Sequence, residues 1–313
     1  MPFSLSLLRV FVAVAHRQSF TRAAQQLGLT QPAVSKSVRE LERQAGTPLV
    51  ERIPSGVRLT EAGAVLLGHA RVILAEERAA DDAMQLLRGV GRGVLRIGAS
   101  PTIATYLLPS LLQAFSTRHP AIELHLHTAQ SRAVAGALLA REVDLGFAEA
   151  PVADDPRLEV TWWRDDELVV VAAPSHALAP QAPIEFRALA DELVVLREAG
   201  SGSRKTVLDE LRARDVVPRR TMDADSVESI KRIVAAGLGV SLISRAAIED
   251  MLALRRLVVL ETTDRPITRP LSRLTLRRGQ SAPTRAFLEL LGPDERTASR
   301  KSAPTRRRSG GRA

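Results

Sequence analysis

The sequence predicts a chain in three successive parts: a small helical head ending in a β-hairpin, one long helix, and a larger α/β region. Three observations predict it. Apolar residues recur at helical spacing from Leu5 to Ala45; two short β-rich runs then flank Pro54-Ser55-Gly56; and beyond Gly93 short apolar strands alternate with helices. The chain has 313 residues, enough for more than one core.

Charge separates the parts further. The formal net charge is +9, but residues 1–58 hold eight basic and three acidic side chains, and residues 294–313 hold seven and two. Each end therefore carries +5, and the long middle is nearly neutral at −1. A basic head beside a neutral body points to nucleic acid as the head's partner alone. With no cysteine, disulfides and thiolate metal sites are excluded, which fits a reducing cytoplasm.

The first helix covers Leu5 to Ala15, with Leu8, Val12 and Ala15 on one face. The run has some features of a secretion signal, since it ends in Ala13-Val14-Ala15. No basic residue precedes it, however, and Arg9 interrupts it. Ser19 can cap a second helix, Phe20 to Leu27, and Gly28 supplies a left-handed stop. Thr30 caps a third, and Pro32 sits in its first turn, where its missing N–H costs nothing.

In that third helix Val34, Val38, Leu41 and Ala45 share one face, while Pro32, Lys36, Arg39 and Arg43 share the other with Ser35 beside them. A helix that is apolar behind and basic in front, presented by a tight turn, meets the physical requirement for major-groove docking. The plainer reading is a surface helical hairpin with a solvated basic face.

Gly46 ends the helix and Thr47-Pro48 turns the chain. Leu49 to Arg52 and Val57 to Leu59 form a hairpin about Pro54-Ser55-Gly56, and a hairpin in this place is a wing, with Arg52 and Arg58 placed to meet phosphates. Thr60 caps a helix with Glu61 at its positive end, uninterrupted until Gly89 and about 40 Å long. Leu66, Ile73, Ala80 and Leu87 stand seven apart, with Ala70 and Met84 between them and Glu77 as the one polar interruption. This is a coiled-coil stripe, so the helix is expected to pair with a second copy and set two recognition helices on an inverted repeat.

Gly89, Gly91 and Gly93 form a joint. Strands are then expected at 94–98, 122–128, 144–148, 168–173, 193–196, 240–244 and 271–276 in a parallel sheet, with helices including 103–117 and 227–236 between them. Asp225 with Glu228 has the form of a capping box.

The segments SFTRAAQQLGLTQPAVSKSVRELE, VRLTEAG, LRIGAS, YLLPSLLQAFSTRHP, DLGFAE, REAGSGSRKT and IKRIVAAGLGVSLIS resemble the LysR-type transcriptional regulators, over about residues 5 to 292. The resemblance implies an all-α winged helix-turn-helix at 1–59, a linker and dimerisation helix at 60–89, and at 90–293 an α/β effector domain of two lobes similar to a periplasmic binding protein. A basic, disordered tail follows at 294–313. It implies a cytoplasmic homodimer, assembled as a dimer of dimers, that bends promoter DNA and responds to a small metabolite, with no membrane association.

DNA contacts then fall within the helix-turn-helix, Phe20 to Arg39, on Gln31, Pro32, Ser35 and Lys36, and on Arg52 of the wing, with Arg39 and Arg43 gripping phosphate. Val50 stands where the family usually has an aromatic residue, and Ser55 where a basic one is frequent. The run IGASPTIATYLLPSLL resembles the branch regulating sulfur assimilation and carbon fixation, with Pro101 in place of a threonine.

The effector site also follows from physics, because in open α/β sheets ligands bind beyond strand carboxyl ends, where helix N-termini offer free N–H groups. Three such ends carry hydroxyls: Ser100-Pro101-Thr102, Gln130-Ser131 and Gly200 to Arg204. The expected effector is a small anion on Ser100, Thr102, Ser131, Ser201, Ser203 and Arg204. Taken singly, helix capping accounts for each residue.

Other functions have less support in the residues. No Walker loop, nucleophile elbow or HExxH sequence is present, so no enzyme activity and no cofactor are expected. His125 and His127 share one strand face, which would suit a metal only with a third ligand; a solvated strand face is the plainer reading, and no metal is expected. The rival is a secreted two-lobed solute-binding protein, which requires a cleavable signal and no DNA-binding head.

Overall fold

A computed structural model describes residues 3–54, 56–87, 93–149, 151–152 and 154–292. The Gly89 and Gly91 joint, Ser55 at the wing tip and the tail at 294–313 lie outside the described residues. The chain divides into two compact units, with the boundary at Arg92 and Gly93.

In the first unit α1 (Leu5–Arg17), α2 (Phe20–Leu27) and α3 (Gln31–Ala45) precede a hairpin of β1 (Val50–Ile53) and β2 (Gly56–Leu59), then α4 (Glu61–Leu87). The local chemistry follows the sequence. Ser19 Oγ accepts from Arg22 N and Thr30 Oγ1 from Ala33 N, and Gly28 and Gly46 take the left-handed conformation at the two helix ends. Val10, Val14, Ala23, Val34 and Val38 close one core. Leu8, Phe11, Leu41 and Leu49 close a second with Leu66, Ala70 and Leu74 of α4.

That second core takes up part of the expected coiled-coil stripe. Leu66 and Ala70 are buried within their own unit, and Glu77 pairs with Arg9 of α1 at 2.6 Å. Ile73, Ala80 and Met84 of the stripe are exposed, as are Val65 and Val72 beside it. The side chain of Leu87 lies outside the described residues. A heptad count cannot tell which of its positions face inward.

Gly63 has a steric reason to be glycine. Thr60 caps α4, accepting from Gly63 N at 2.9 Å and donating to Pro48 O at 2.8 Å, which draws the helix start against the chain before β1. A Cβ on Gly63 would stand 1.9 Å from Leu49 O.

The second unit is two α/β lobes sharing long strands. Its strands are β3 (Gly93–Ala99), β4 (Ile122–Thr128), β5 (Leu145–Ala148), β6 (Leu158–Ala172), β7 (Leu193–Arg197), β8 (Arg220–Ala224), β9 (Ser241–Ser244), β10 (Val258–Val259) and β11 (Ile267–Leu276). The helices are α5 (Pro109–Arg118), α6 (Ser131–Leu139), α7 (Gly202–Arg212), α8 (Val227–Ala235), α9 (Glu249–Ala253) and α10 (Ala282–Leu291). The main sheet has the order β10-β6-β11-β5-β3-β4, with β9 also on β6; β7 and β8 pair separately.

The sheet is mixed rather than parallel. β3 runs parallel to β4 and β5, but β11 is antiparallel to both β5 and β6. Strands β6 and β11 serve both lobes, and their pairing carries a register shift between Leu271 and Ser272. Only their apolar halves, 168–173 and 271–276, stand out by composition. The charged half of β6, with Arg164, Asp165, Asp166 and Glu167, has no strand signature.

Two further expectations change. Residues 103–117 are not one helix: Ile103–Leu107 forms a π-turn before Pro109 opens α5. The cap of α8 is Ser226, whose Oγ accepts from Ser229 N at 3.0 Å, rather than Asp225; Glu228 bonds Arg232 and Lys231 instead. Lys231 is buried, yet it stays charged. Desolvation opposes its charge, and its bonds to Asp250 and Glu228, with the Tyr106 ring 5.2 Å away, outweigh this and hold its pKa above the ordinary lysine value.

Candidate functional site

On the head, α3 presents its polar side outward. Pro32, Lys36 and Arg39 are exposed, Gln31 is half-buried, and Val34, Val38 and Leu41 anchor the opposite face. Two of the expected contact residues turn out to be linked. Ser35 is only 4% exposed, and its Oγ accepts from an Arg52 guanidinium nitrogen at 3.0 Å. The same guanidinium lies over the Phe20 ring, 4.7 Å from its centre. Arg52 therefore ties the wing to both helices of the motif, an arrangement that spacing along the chain does not reveal.

The other arginines differ in freedom. Arg39 Nε donates to Ser35 O at 3.4 Å. Arg43 forks onto Glu40 through two hydrogen bonds, which, with one from Gln44, bring the Glu40 pKa down to about 2. Arg58 is held by Glu51 at 2.7 Å across the hairpin. Both of these pairs are exposed, where an ion pair contributes little to stability.

In the second unit the expected effector residues gather where strand ends of the two lobes face each other. Ser100 follows β3, Ser131 opens α6 after β4, and Ser201 and Ser203 open α7 after β7. Thr102 and Ser203 line a closed cavity of 20 Å³ with Arg197, Arg204 and Arg269. Ser131 and Ser201 line an open one of 470 Å³ with Arg132, Lys205 and Arg212, and Arg204 borders both. The guanidinium of Arg204 points to the Arg197 carbonyl and the Asp223 carboxylate rather than into the space.

Capping does not account for these hydroxyls. Ser201 is the N-cap residue of α7 but makes no side-chain cap bond, and its Oγ, with Ser100 Oγ and Thr102 Oγ1, is buried without a partner. Ser131 Oγ accepts instead from Glu149 N at 3.3 Å.

The strongest charges in the cleft were not singled out from sequence. Arg269 of β11 is 3% exposed and pairs with Glu149 at 2.9 Å and Asp166 at 2.8 Å, both also buried. Ser203 Oγ accepts from Arg269 at 2.9 Å and donates to Glu149 Oε2 at 3.2 Å. Across the cleft Gln130 Nε2 donates to Glu198 Oε1 at 2.7 Å, and Arg197 pairs with the same carboxylate. Glu149 could have been found as the carboxylate closing DLGFAE at a strand end. Asp166 and Arg269 lie opposite one another in strand halves without a sequence signature.

His125 and His127 lie on the exposed strand β4, where His125 Nε2 is 2.9 Å from Glu123 Oε1. Among the described residues no group of three possible metal ligands forms, and none of the helices is long and apolar enough to cross a membrane.

Comparison with known proteins finds two family models. Residues 5–64 match the bacterial regulatory helix-turn-helix protein, lysR family, and residues 88–294 match the LysR substrate binding domain. A RuBisCO operon transcriptional regulator of Allochromatium vinosum is 39% identical over 283 residues, covering 90% of this chain and 92% of that one. A full-length OxyR variant from Pseudomonas aeruginosa superposes with a TM-score of 0.73 at 26% identity, covering 93% of this chain and 94% of its own. The regulatory domain of CcmR from Synechocystis PCC6803, in complex with 2-PG, gives a TM-score of 0.59 at 30% identity, covering 64% of this chain and 96% of its own.

Proposed function

The chain belongs to the LysR family of bacterial transcriptional regulators, and on that premise we propose that it controls a RuBisCO operon in response to a small anion held between the lobes of its effector domain. It is a DNA-binding transcription regulator with an effector-binding domain. The operon is inferred from the Allochromatium relative, and the anionic effector from the 2-PG bound by CcmR.

The observation that carries the reading of the cleft is the set of buried, partnerless hydroxyls of Ser100, Thr102 and Ser201 at strand ends. With Ser131 beside them they supply donors for an oxyanion, while Ser203, bonded to Glu149 and Arg269, and Arg204, bonded to Arg197 and Asp223, shape the site around them. The protein works in the cytoplasm and by binding alone, with no catalytic step and no cofactor.

In the head, Gln31, Pro32 and Lys36 meet base edges and Arg39 meets phosphate, while Ser35, buried rather than presented to the groove, acts by holding Arg52 of the wing beside them. Residues 1–59 read DNA, 60–89 pair two chains and 90–293 bind the effector. The exposed Val65, Val72 and Ile73 of α4, with Met84 further along, support pairing, since exposed apolar side chains on one helix are best covered by a second copy. Two heads so joined require an inverted repeat, and two such pairs make the dimer of dimers.

Footprinting of the full-length protein on a RuBisCO operon promoter tests this. Protection of an inverted repeat is expected, lost in Ser35→Ala and Lys36→Ala while sedimentation shows the oligomer intact. Unchanged footprints in both variants would refute the assignment of the recognition helix.

A further inference from the structure

The partnerless atoms around the cleft differ in what they can bind, and that difference selects a ligand. Among the described residues they are Ser100 Oγ, Thr102 Oγ1, Ser201 Oγ, Arg197 Nη1 and Glu149 Oε1. The hydroxyls can donate or accept, Arg197 can only donate, and an ionised Glu149 can only accept.

A plain anion presents acceptors alone. It satisfies Arg197 and the hydroxyls but leaves Glu149 Oε1 bare, and it sets two negative charges close together in a poorly solvated site. Nor is Glu149 free to turn away. Its Oε2 is held by Arg269 at 2.9 Å and by the Ser203 hydroxyl at 3.2 Å, its own N–H is bonded to Ser131 Oγ, and the residue is 2% exposed. Arg269 divides its single charge between Glu149 and Asp166, so this buried group of three carries a net −1.

We infer that Glu149 is a specificity-determining residue of the effector site: the cleft selects an anion that also carries a hydroxyl or N–H donor for Glu149 Oε1, and discriminates against an anion without one. The inference rests on the anionic-effector reading above and adds a second requirement to it. Glu149 reaches Ser203 and Arg269, which border the same closed cavity as Thr102 and Arg197. Its backbone N–H is also bonded to Ser131, which lines the open cavity with Ser201, so a ligand seated there lies beside the Glu149 carboxylate. The cavity of 20 Å³ has room for about one water, so the body of the ligand is seated in the open one of 470 Å³.

Calorimetric titration of the full-length protein with glycerol 3-phosphate, ethyl phosphate and inorganic phosphate tests it. The first is a phosphate monoester with hydroxyls, the second one without. A hydrogen bond to a charged group corresponds to roughly 10- to 150-fold in affinity, so the wild type should prefer glycerol 3-phosphate over ethyl phosphate by at least about tenfold. In Glu149→Gln, whose amide is neutral and can also donate, ethyl phosphate should gain affinity and the ratio should fall to within about twofold. Glu149→Asp keeps the charge but withdraws the oxygen, and should also lower the ratio, which guards against misfolding of the first variant.

A wild-type ratio near one, or a preference that persists in both variants, overturns the role of Glu149 alone. Failure of all three phosphates to bind the wild type overturns the anionic-effector reading and this inference with it.

Discussion

Replacing Arg269 with methionine should destabilise the effector domain severely. Met fills much of the same volume, so the loss is electrostatic: Glu149 and Asp166, both buried, would face each other without the cation that pairs with them at 2.9 and 2.8 Å. Breaking a buried ion pair from one side costs about 3–5 kcal/mol, because the remaining charge stays desolvated. For a domain of this size each kcal/mol moves the melting temperature by roughly 2–4 °C, so the effector-domain transition should fall by about 6–20 °C.

The charge argument makes a second, sharper demand. Adding Glu149→Gln and Asp166→Asn to Arg269→Met removes every formal charge from the group, and most of the loss should return, since a neutral buried group lacks the penalty of an unpaired ion. Scanning calorimetry of the wild type, the single and the triple variant measures both effects. An Arg269→Met shift under about 2 °C, or a triple variant as unstable as the single, would refute the reasoning.

Three further outcomes are expected. Gly63→Ala should destabilise the head by about 3 kcal/mol, because its new methyl overlaps Leu49 O; chemical denaturation followed through the helical signal would show it, and wild-type stability would contradict the packing. Lys231, with its pKa raised in the fold, should contribute stability fully below its ordinary 10.5 and lose it as pH rises through the higher folded value, whereas Asp250, with its pKa lowered, should contribute above 3.8 and lose it as pH falls. Lys231→Met should accordingly flatten the alkaline limb of a stability–pH profile, and an unchanged limb would contradict the pairing. Ser35→Ala and Arg52→Ala should be non-additive in promoter affinity by about 1 kcal/mol, since each removes the same hydrogen bond; additive losses would mean the two residues act separately.

The parts of this protein legible in its sequence are those decided locally. Ser19, Gly28, Thr30, Gly46 and Thr60 set the ends of α2, α3 and α4 because a cap or a left-handed turn needs only its neighbours. Strand β3 is legible as a buried, largely apolar run and β4 as an alternation of apolar and polar residues. Long-range pairing was not visible: the polar half of β6 gains strand geometry only from β11, and Asp166 meets Arg269 only through that register.

The same limit governed the sites. The hydroxyls of Ser100, Thr102 and Ser201 could be marked from strand ends, and they are the ones left without partners. Glu149 could not be marked as their complement, because its meaning depends on Arg269, 120 positions later. On α4 the sequence showed an apolar heptad but not its direction, which Leu8 and Phe11 of α1 decide by covering Leu66, Ala70 and Leu74.

The central claim is that an anion in the interlobe cleft changes how the paired heads hold DNA. The most direct test is the footprint and bend angle of a RuBisCO operon promoter bound by the full-length protein, with and without saturating 2-PG, glycerol 3-phosphate or inorganic phosphate. At least one of these anions should shift the wild-type footprint and bend, and the shift should vanish when Thr102→Val and Ser201→Ala are combined. Unchanged footprint and bend with all three anions, or a shift that survives in the double variant, would contradict the account.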